Sequence, residues 1–498
     1  MTLFLFGHLE PTRFVYLVLT ALAISGAEGE DVPDGLPAAI VDSDFHGNGR
    51  QPAGKVELGR QLFFDKILSG NRNISCATCH HPKHGTSDAL ALSFGEGASG
   101  IGPERRPGAA LKESVHGRIP RNSPGLFNVG AREFKTFFHD GRVEVDSRGY
   151  YDSGFITPAK WKLPGGLDNA LAAQAMFPVL SPDEMAGQKG ENEIADAVSL
   201  NRAAGNGGAW DLLAARLREI PEYGRLFREA YSGEVKQAED ITFVQVANAI
   251  AAFQAVAFRA DNSPFDRYLR GEETALDEDA KRGMTLFYGE ANCASCHGGK
   301  LQTDHGFYAI AMPQIGPGKG DGRDGGYWRA SGHRGFLEDF GRGRVTRRPE
   351  DNFKFRTPSL RNVAITGPWG HSGAYETLRD VVRHHVDPVE KLKRYEAPVG
   401  ILPELDSVLE TTANGSSLAH QRVSDERMES WHLRDTWVSR NDILRERISA
   451  ANQLEGVGLD DSQIDELVAF LEALTDSSGI DHRVEIPARV PSGLPVDR

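Results

Sequence analysis

The chain has 498 residues, enough for two or three domains each with its own core. A formal charge of -14 argues against nucleic acid and anionic membrane as partners, and favours a basic protein partner. With 55 glycines and 26 prolines, long irregular loops are expected between the regular elements.

The first feature along the chain is an apolar run from Phe14 to Ile24 behind Arg13, with small residues at Ser25-Gly26-Ala27. It predicts a cleaved signal peptide over residues 1–27 and export to the periplasm. The run is short for a bilayer span, so the protein is not integral to the membrane once the signal is removed. Residues 28–50 lack periodic apolar positions and read as an arm.

Helices are predicted over residues 56–64 and 279–288. Aligned on Gly59 and Gly283, both read Gly-x-x-Leu-Phe-aromatic, and both lead into the same downstream motif. This internal repeat predicts two related domains, over 45–270 and 275–475, followed by an extended tail over 480–498. Between them, residues 241–260 form a strongly apolar helix, with Asp240 as its cap and Ser263-Pro264 as its stop. Its composition predicts burial between the domains. Over 461–474, Ile464, Leu467, Val468, Leu471 and Leu474 share one helical face, which suits a helix closing the second domain's pocket. Strand-like alternation is scarce, so the fold is expected to be mainly α.

The repeated motif is Cys76-Ala-Thr-Cys79-His80 and Cys293-Ala-Ser-Cys296-His297. Together the two copies use all four cysteines. In each, two thiols can bond covalently to haem vinyl groups and the following histidine can bind the iron. Two disulfides or a zinc site would leave the adjacent histidines unexplained. Two covalent haem c groups are therefore expected, with His80 and His297 as proximal ligands. Function then depends on the opposite face of each iron: a carrier has two strong protein ligands, a catalyst an accessible position with acid–base groups nearby. Met312 is the nearest methionine candidate but reads as a core or loop residue. His384 and His385 follow Thr377 on a predicted helix.

Further motifs match in order: Arg121-Asn122-Ser123-Pro124, Asp140-Gly141-Arg142, Pro182-Asp183-Glu184-Met185, Gly316-Pro317-Gly318-Lys319-Gly320-Asp321, Arg356-Thr357-Pro358-Ser359-Leu360-Arg361-Asn362-Val363 and His371-Ser372-Gly373. With these, the chain resembles the bacterial di-haem cytochrome c peroxidase and MauG family over nearly all its length after residue 50. The resemblance implies two cytochrome c-like haem domains, the first peroxidatic and the second transferring electrons. It implies that Gln174, Pro178 and Glu184 form the distal pocket of the first haem, with Glu184 as acid–base residue and Gln174 orienting it. The blocking histidine of the classical peroxidases falls on Glu96, whose default reading is an ordinary loop carboxylate. The second axial position of the second haem falls on His385, with His384 the alternative one register away.

The inter-haem tryptophan of the family is His139 here, with Phe138 or Trp161 as possible compensation. The resemblance also implies calcium between the domains, held by Asn122 and by the carbonyls of Thr366 and Pro368, hard oxygen donors suited to that ion. The run Arg342, Arg344, Arg347, Arg348 reads as a solvated loop. His81 and His84 read as surface or propionate neighbours.

The implied activity is reduction of hydrogen peroxide to water, with electrons from a small donor such as a cytochrome c or cupredoxin. A MauG-like alternative uses peroxide to oxidise a protein or peptide substrate. A non-enzymatic electron carrier is the rival of another class, and it predicts two low-spin haems that ignore peroxide.

Overall fold

The computed structural model describes residues 35–108, 115–322, 337–398, 400–403, 407–411, 418–422 and 425–498. The expected signal peptide lies outside them. Among the described residues, no helix is long and apolar enough to cross a membrane. The fold is mainly helical, with four small antiparallel sheets among the described residues. One has three strands (Thr136–Phe137, Val143–Val145, Phe155–Ile156) and three have two.

Two helix pairs organise the molecule, and they repeat one contact. Helix Ala53–Phe64 buries Leu58, Gly59, Leu62, Phe63 and Phe64 and packs on helix Phe243–Ala257. A Cβ on Gly59 would stand 1.9 Å from the Ala249 carbonyl oxygen and 2.9 Å from the Phe253 Cβ. In the second half, helix Glu278–Tyr288 packs on helix Asp461–Glu472. A Cβ on Gly283 would stand 1.9 Å from the Glu466 carbonyl oxygen and 3.0 Å from the Phe470 Cβ. No side chain fits at either crossing, so each glycine lets two helix backbones touch. The repeat seen in the first helix of each pair thus extends to the second helix. Phe253 and Phe470 are equivalent, each buried among rings: Phe63 lies 5.3 Å from Phe253, and Phe287 lies 5.1 Å from Phe470.

Several expectations are corrected here. The apolar helix lies inside the first half's core, with Val246, Ala249, Ile250 and Phe253 among first-half residues, not between domains. Asp240 does not cap it. Its carboxylate is engaged by the backbone N–H groups of Lys236 and Gln237 in the preceding turn, and Thr242 with Gln245 forms the capping box instead. The helix ends at Ala257, and Ser263 opens a new helix, Pro264–Leu269, by accepting from the Asp266 N–H. Proline after a capping serine is a start signal here, because the first helical position needs no N–H. In helix Asp461–Glu472, Val468 is only half-buried, and the unpredicted Phe470 makes the central contact.

The arm and the tail are both docked. Phe45 is fully buried in the first core. The tail returns to the first half. Val490 is buried there, Lys66 pairs with Asp497 at 2.6 Å, and Thr78 donates to Asp497 at 2.6 Å. The C-terminus therefore braces the turn that carries Cys76 and Cys79.

One buried cluster ties the halves together. Arg121 donates to both carboxylate oxygens of Asp339, at 2.7 and 2.8 Å, and pairs with Asp140 at 2.7 Å. Arg118 pairs with Asp435 at 2.9 Å, also buried. Arg342 belongs to this seam rather than to a solvated loop: it packs over Phe307, donates to the Gly141 carbonyl and pairs with Glu144. Arg347 and Arg348 are exposed as expected.

Candidate functional site

The first Cys-x-x-Cys pair forms a single helical turn, Cys76–Cys79, closed by a reciprocal Ser75–Thr78 capping box. Ser75 and Thr78 are buried, so the turn is held before anything binds to it. His80 follows at once. Its Nδ1 meets the Thr86 carbonyl at 3.1 Å and the Ser123 hydroxyl at 3.3 Å. That fixes the ring and leaves Nε2 for a ligand. The second motif repeats the device: the His297 Nδ1 meets the Gln302 carbonyl at 3.1 Å. All four cysteines are outside any disulfide. Burial pushes the Cys76, Cys79 and Cys293 thiols up to about 12, so they are neutral at rest.

Gln174 lies on helix Ala170–Ala175, whose N-cap Asn169 accepts from the Ala172 N–H. Two tight turns, Pro178–Leu180 and Pro182–Ala186, then carry the chain round to Glu184. Both side chains are half-buried, and neither has a hydrogen-bond partner among the described residues. Glu184 lies within electrostatic reach of Cys79, Arg142 and Lys319. It lines a cavity of about 480 Å³ that opens toward Trp161. An unpaired carboxylate within electrostatic reach of an attachment cysteine is what a reactive face requires.

Glu96 is not an ordinary loop carboxylate. It is almost fully buried, and its Oε1 accepts from Asn71 at 2.6 Å and Asn73 at 2.8 Å. Its own N–H donates to the Asp183 carbonyl, next to Glu184. Burial pushes its carboxyl up to about 7, against the opposing amide bonds. Asn71 also donates to Glu191, which meets His116 at 3.0 Å. This network joins the loop before Cys76 to the loop holding Glu184. Arg105, fully buried, anchors the same region through the carbonyls of Phe94, Gly95 and Gly100.

At the second motif, helix Leu378–Val386 is capped by Thr377 and presents two adjacent histidines in opposite states. His384 is fully buried, with Nδ1 against the Tyr375 hydroxyl at 2.9 Å and Nε2 against the Ile310 carbonyl at 2.8 Å. Both of its nitrogens are engaged. His385 uses only Nδ1, against the Val381 carbonyl at 2.8 Å. Its ring stands 6.4 Å from that of His297, centroid to centroid. Burial and then His385 push His297 down to about 4, so its imidazole is neutral and can donate a lone pair. Met312 packs in the second core beside Gly370, as a core residue.

His139 is held with Nε2 against the Asn122 carbonyl at 3.1 Å, and burial with Arg121 pushes it down to about 4. Phe138 lies under the Arg142 guanidinium at 3.5 Å. Trp161 is 78% exposed and lines the same cavity as Glu184. His81 is fully buried against His84, not at the surface. Asn122 donates its Nδ2 to the carbonyls of Leu90 and Ala91, leaving its Oδ1 for another partner. Among the described residues no cluster of three or more His, Cys, Asp or Glu forms a metal site.

The residues fit two haems. Each motif offers paired neutral thiols and an imidazole held by Nδ1. Arg356, half-buried with no carboxylate partner among the described residues and pushed down to about 10 by desolvation alone, is a cation suited to a propionate. Sequence reasoning passed over Arg356 as a site residue because its surroundings, the Phe138 and Thr357 carbonyls, are visible only once the halves are assembled.

Residues 53–274 match the family described as di-haem cytochrome c peroxidase. The methylamine utilization protein MauG of Methylorubrum extorquens is 31% identical over 342 residues, spanning 68% of this chain and 70% of that protein. Cytochrome-c peroxidase IdrP1 of Denitromonas iodatirespirans is 31% identical over 398 residues, 76% and 84% of the two chains. A solved MauG-like protein associated with microbial copper homeostasis superposes with a TM-score of 0.51 at 24% identity, covering 91% of this chain and 97% of that one. The repeated motifs, the helix pairs and these relatives agree: the chain belongs to the di-haem cytochrome c peroxidase and MauG family.

Proposed function

We propose that this haem-dependent oxidoreductase reduces hydrogen peroxide to water at the first centre, with electrons entering through the second from a small cytochrome c or cupredoxin. The observation that supports it best is the unpaired Glu184 carboxylate beside the Cys76–His80 motif. Cys76 and Cys79 would bond one haem and His80 would bind its iron. Cys293, Cys296, His297 and His385 would hold the other. The bound haems supply oxygen–oxygen cleavage at the first centre and one-electron transfer at the second.

Glu184 takes a proton from one peroxide oxygen and returns it to the other, and Gln174 orients the carboxylate. The balance is one peroxide, two electrons and two protons to two waters. Glu96, a carboxylate already bound to Asn71 and Asn73, replaces the blocking histidine, so the first centre is open without prior reduction. Asn122 Oδ1 and the carbonyls of Thr366 and Pro368 hold calcium between the two domains, and the protein works in the periplasm.

A second reading is favoured by His385. Two imidazoles are stronger donors than an imidazole and a thioether, and they lower the second centre's potential. That suits oxidation of a protein or peptide substrate, as in the MauG-like case. One experiment separates the two readings. The haem-loaded protein is treated with stoichiometric peroxide and then mixed with a reduced small cytochrome. Fast multiple turnover supports the peroxidase. A long-lived oxidised state that ignores the cytochrome overturns it in favour of substrate modification.

A further inference from the structure

The cavity that contains Glu184 has a charge opposite to that of the protein as a whole. Arg142, Lys160, Lys162, Lys319 and Arg344 line it, against only Asp140 and Glu184, in a chain of net charge -14. Most of these groups are already engaged. Asp140 is held by Arg121 and Arg142, Arg344 by Asp321, and Lys162 by the Asn201 carbonyl. Lys319 differs. Among the described residues its ammonium has no hydrogen-bond or ion-pair partner, although it is half-buried. Burial and then Arg142 push it down to about 8, so it is still mostly charged at neutral pH. Glu184 and Asp339 act on it only at longer range, so the ammonium still has no hydrogen-bonded anion, and a bound acid group would supply one.

The lining also includes an aromatic side chain, Trp161. Trp161 is 78% exposed, and the Lys160 ammonium lies 5.8 Å from its ring centroid. Lys160 holds a left-handed backbone, with φ of 52°, a strained conformation for a side chain of this kind. The rim turn is thus kept in an unfavourable conformation that presents an indole to solvent. The volume, about 480 Å³, suits a ligand of one aromatic ring and excludes a folded partner.

We propose that this cavity binds a small anionic aromatic molecule, its acid group paired with Lys319 and its ring against Trp161. The proposal rests on the reading of Glu184 as part of the first haem's pocket only for its position. Binding is measured without turnover, so a failed titration leaves the peroxide chemistry intact.

The test is calorimetric titration of the oxidised, haem-loaded protein with 4-hydroxybenzoate, and with benzyl alcohol as a neutral control of one ring. One-to-one binding of 4-hydroxybenzoate is expected, with a dissociation constant of about 0.1–1 mM. Benzyl alcohol should bind at least about tenfold more weakly. Lys319→Met should weaken 4-hydroxybenzoate about tenfold, the scale of one charged hydrogen bond. Trp161→Ala, at an exposed position that the fold does not need, should weaken it about fivefold, the scale of a single aromatic contact. The visible spectrum of each unliganded variant reports on the haem. A Lys319→Met spectrum already altered without ligand would assign the lysine to the cofactor and overturn the proposal. Equal affinity for the neutral alcohol, unchanged affinity in Lys319→Met, or no binding at several times 1 mM would each overturn it as well.

Discussion

The rings of His297 and His385 face each other at 6.4 Å, at an angle of 62°, each steadied through Nδ1 by a backbone carbonyl. His384, one residue away, spends both nitrogens on Tyr375 and Ile310. Replacing His385 with glycine should therefore convert the low-spin signal of one haem while both haems stay attached. Electron paramagnetic resonance of the ferric protein checks this. An unchanged low-spin signal would remove His385 from the second centre.

Glu184→Gln keeps the size of the side chain and abolishes its proton transfer. The peroxide reaction should slow by about 10²–10⁴-fold, the usual scale of general acid–base catalysis. Stopped-flow mixing with peroxide measures it, and the resting spectrum should stay as in the native protein. A rate within a few-fold of native would take Glu184 out of the reaction.

Arg121, Asp140 and Asp339 form a clamp across the halves. Asp339→Ala leaves a buried guanidinium short of its bidentate partner and should cost about 3–5 kcal/mol, read as a lower guanidinium midpoint. Burial acts upward on both carboxyls, but Arg121 outweighs it, leaving Asp140 at about 2 and Asp339 well below the usual carboxylate range. Both folded values lie below the unfolded one. The stabilisation is therefore complete above about pH 4 and is lost as the pH falls through about 2. Acid unfolding followed by circular dichroism should show this dependence, reduced in Asp339→Ala.

Glu96 has the opposite sign. Its folded value of about 7 lies above the ordinary 4.5, so between these the folded chain holds a proton that the unfolded chain has released. Stability should fall as the pH rises through this window. Glu96→Gln can still accept from Asn71 and Asn73 and needs no proton. It should be more stable than native by about 2–3 kcal/mol at pH 8 and no more stable near pH 4. The groups facing Glu96 that titrate or carry charge are Glu191, His116 and the buried Arg105. Equal stabilisation at both pH values would refute the burial argument.

Asn122→Ala removes the only side-chain donor proposed for calcium. If the ion bridges the halves, native protein should lose thermal stability on treatment with a calcium chelator, and Asn122→Ala should already have lost that response. A native melting curve indifferent to chelator would end the assignment.

The chemistry that lies within one or two turns was legible without a structure. Two thiols and an imidazole within five residues can serve one haem whatever surrounds them, and Gly59 and Gly283 announce their repeat in the residues beside them. What the linear pattern left undecided depends on distant neighbours. His384 and His385 are equivalent on their own helix. The Ile310 carbonyl, 74 residues away, occupies His384 and leaves His385 free. Glu96 looks like any loop carboxylate until Asn71, Asn73 and the Asp183 backbone close around it. Phe470 matches Phe253 only when both are seen crossing a glycine. Local spacing determines which atoms can bond to a cofactor. Burial, and the partner each polar group finds, are properties of the assembled chain, and only the tertiary structure decided which histidine, which carboxylate and which lysine are left free to act.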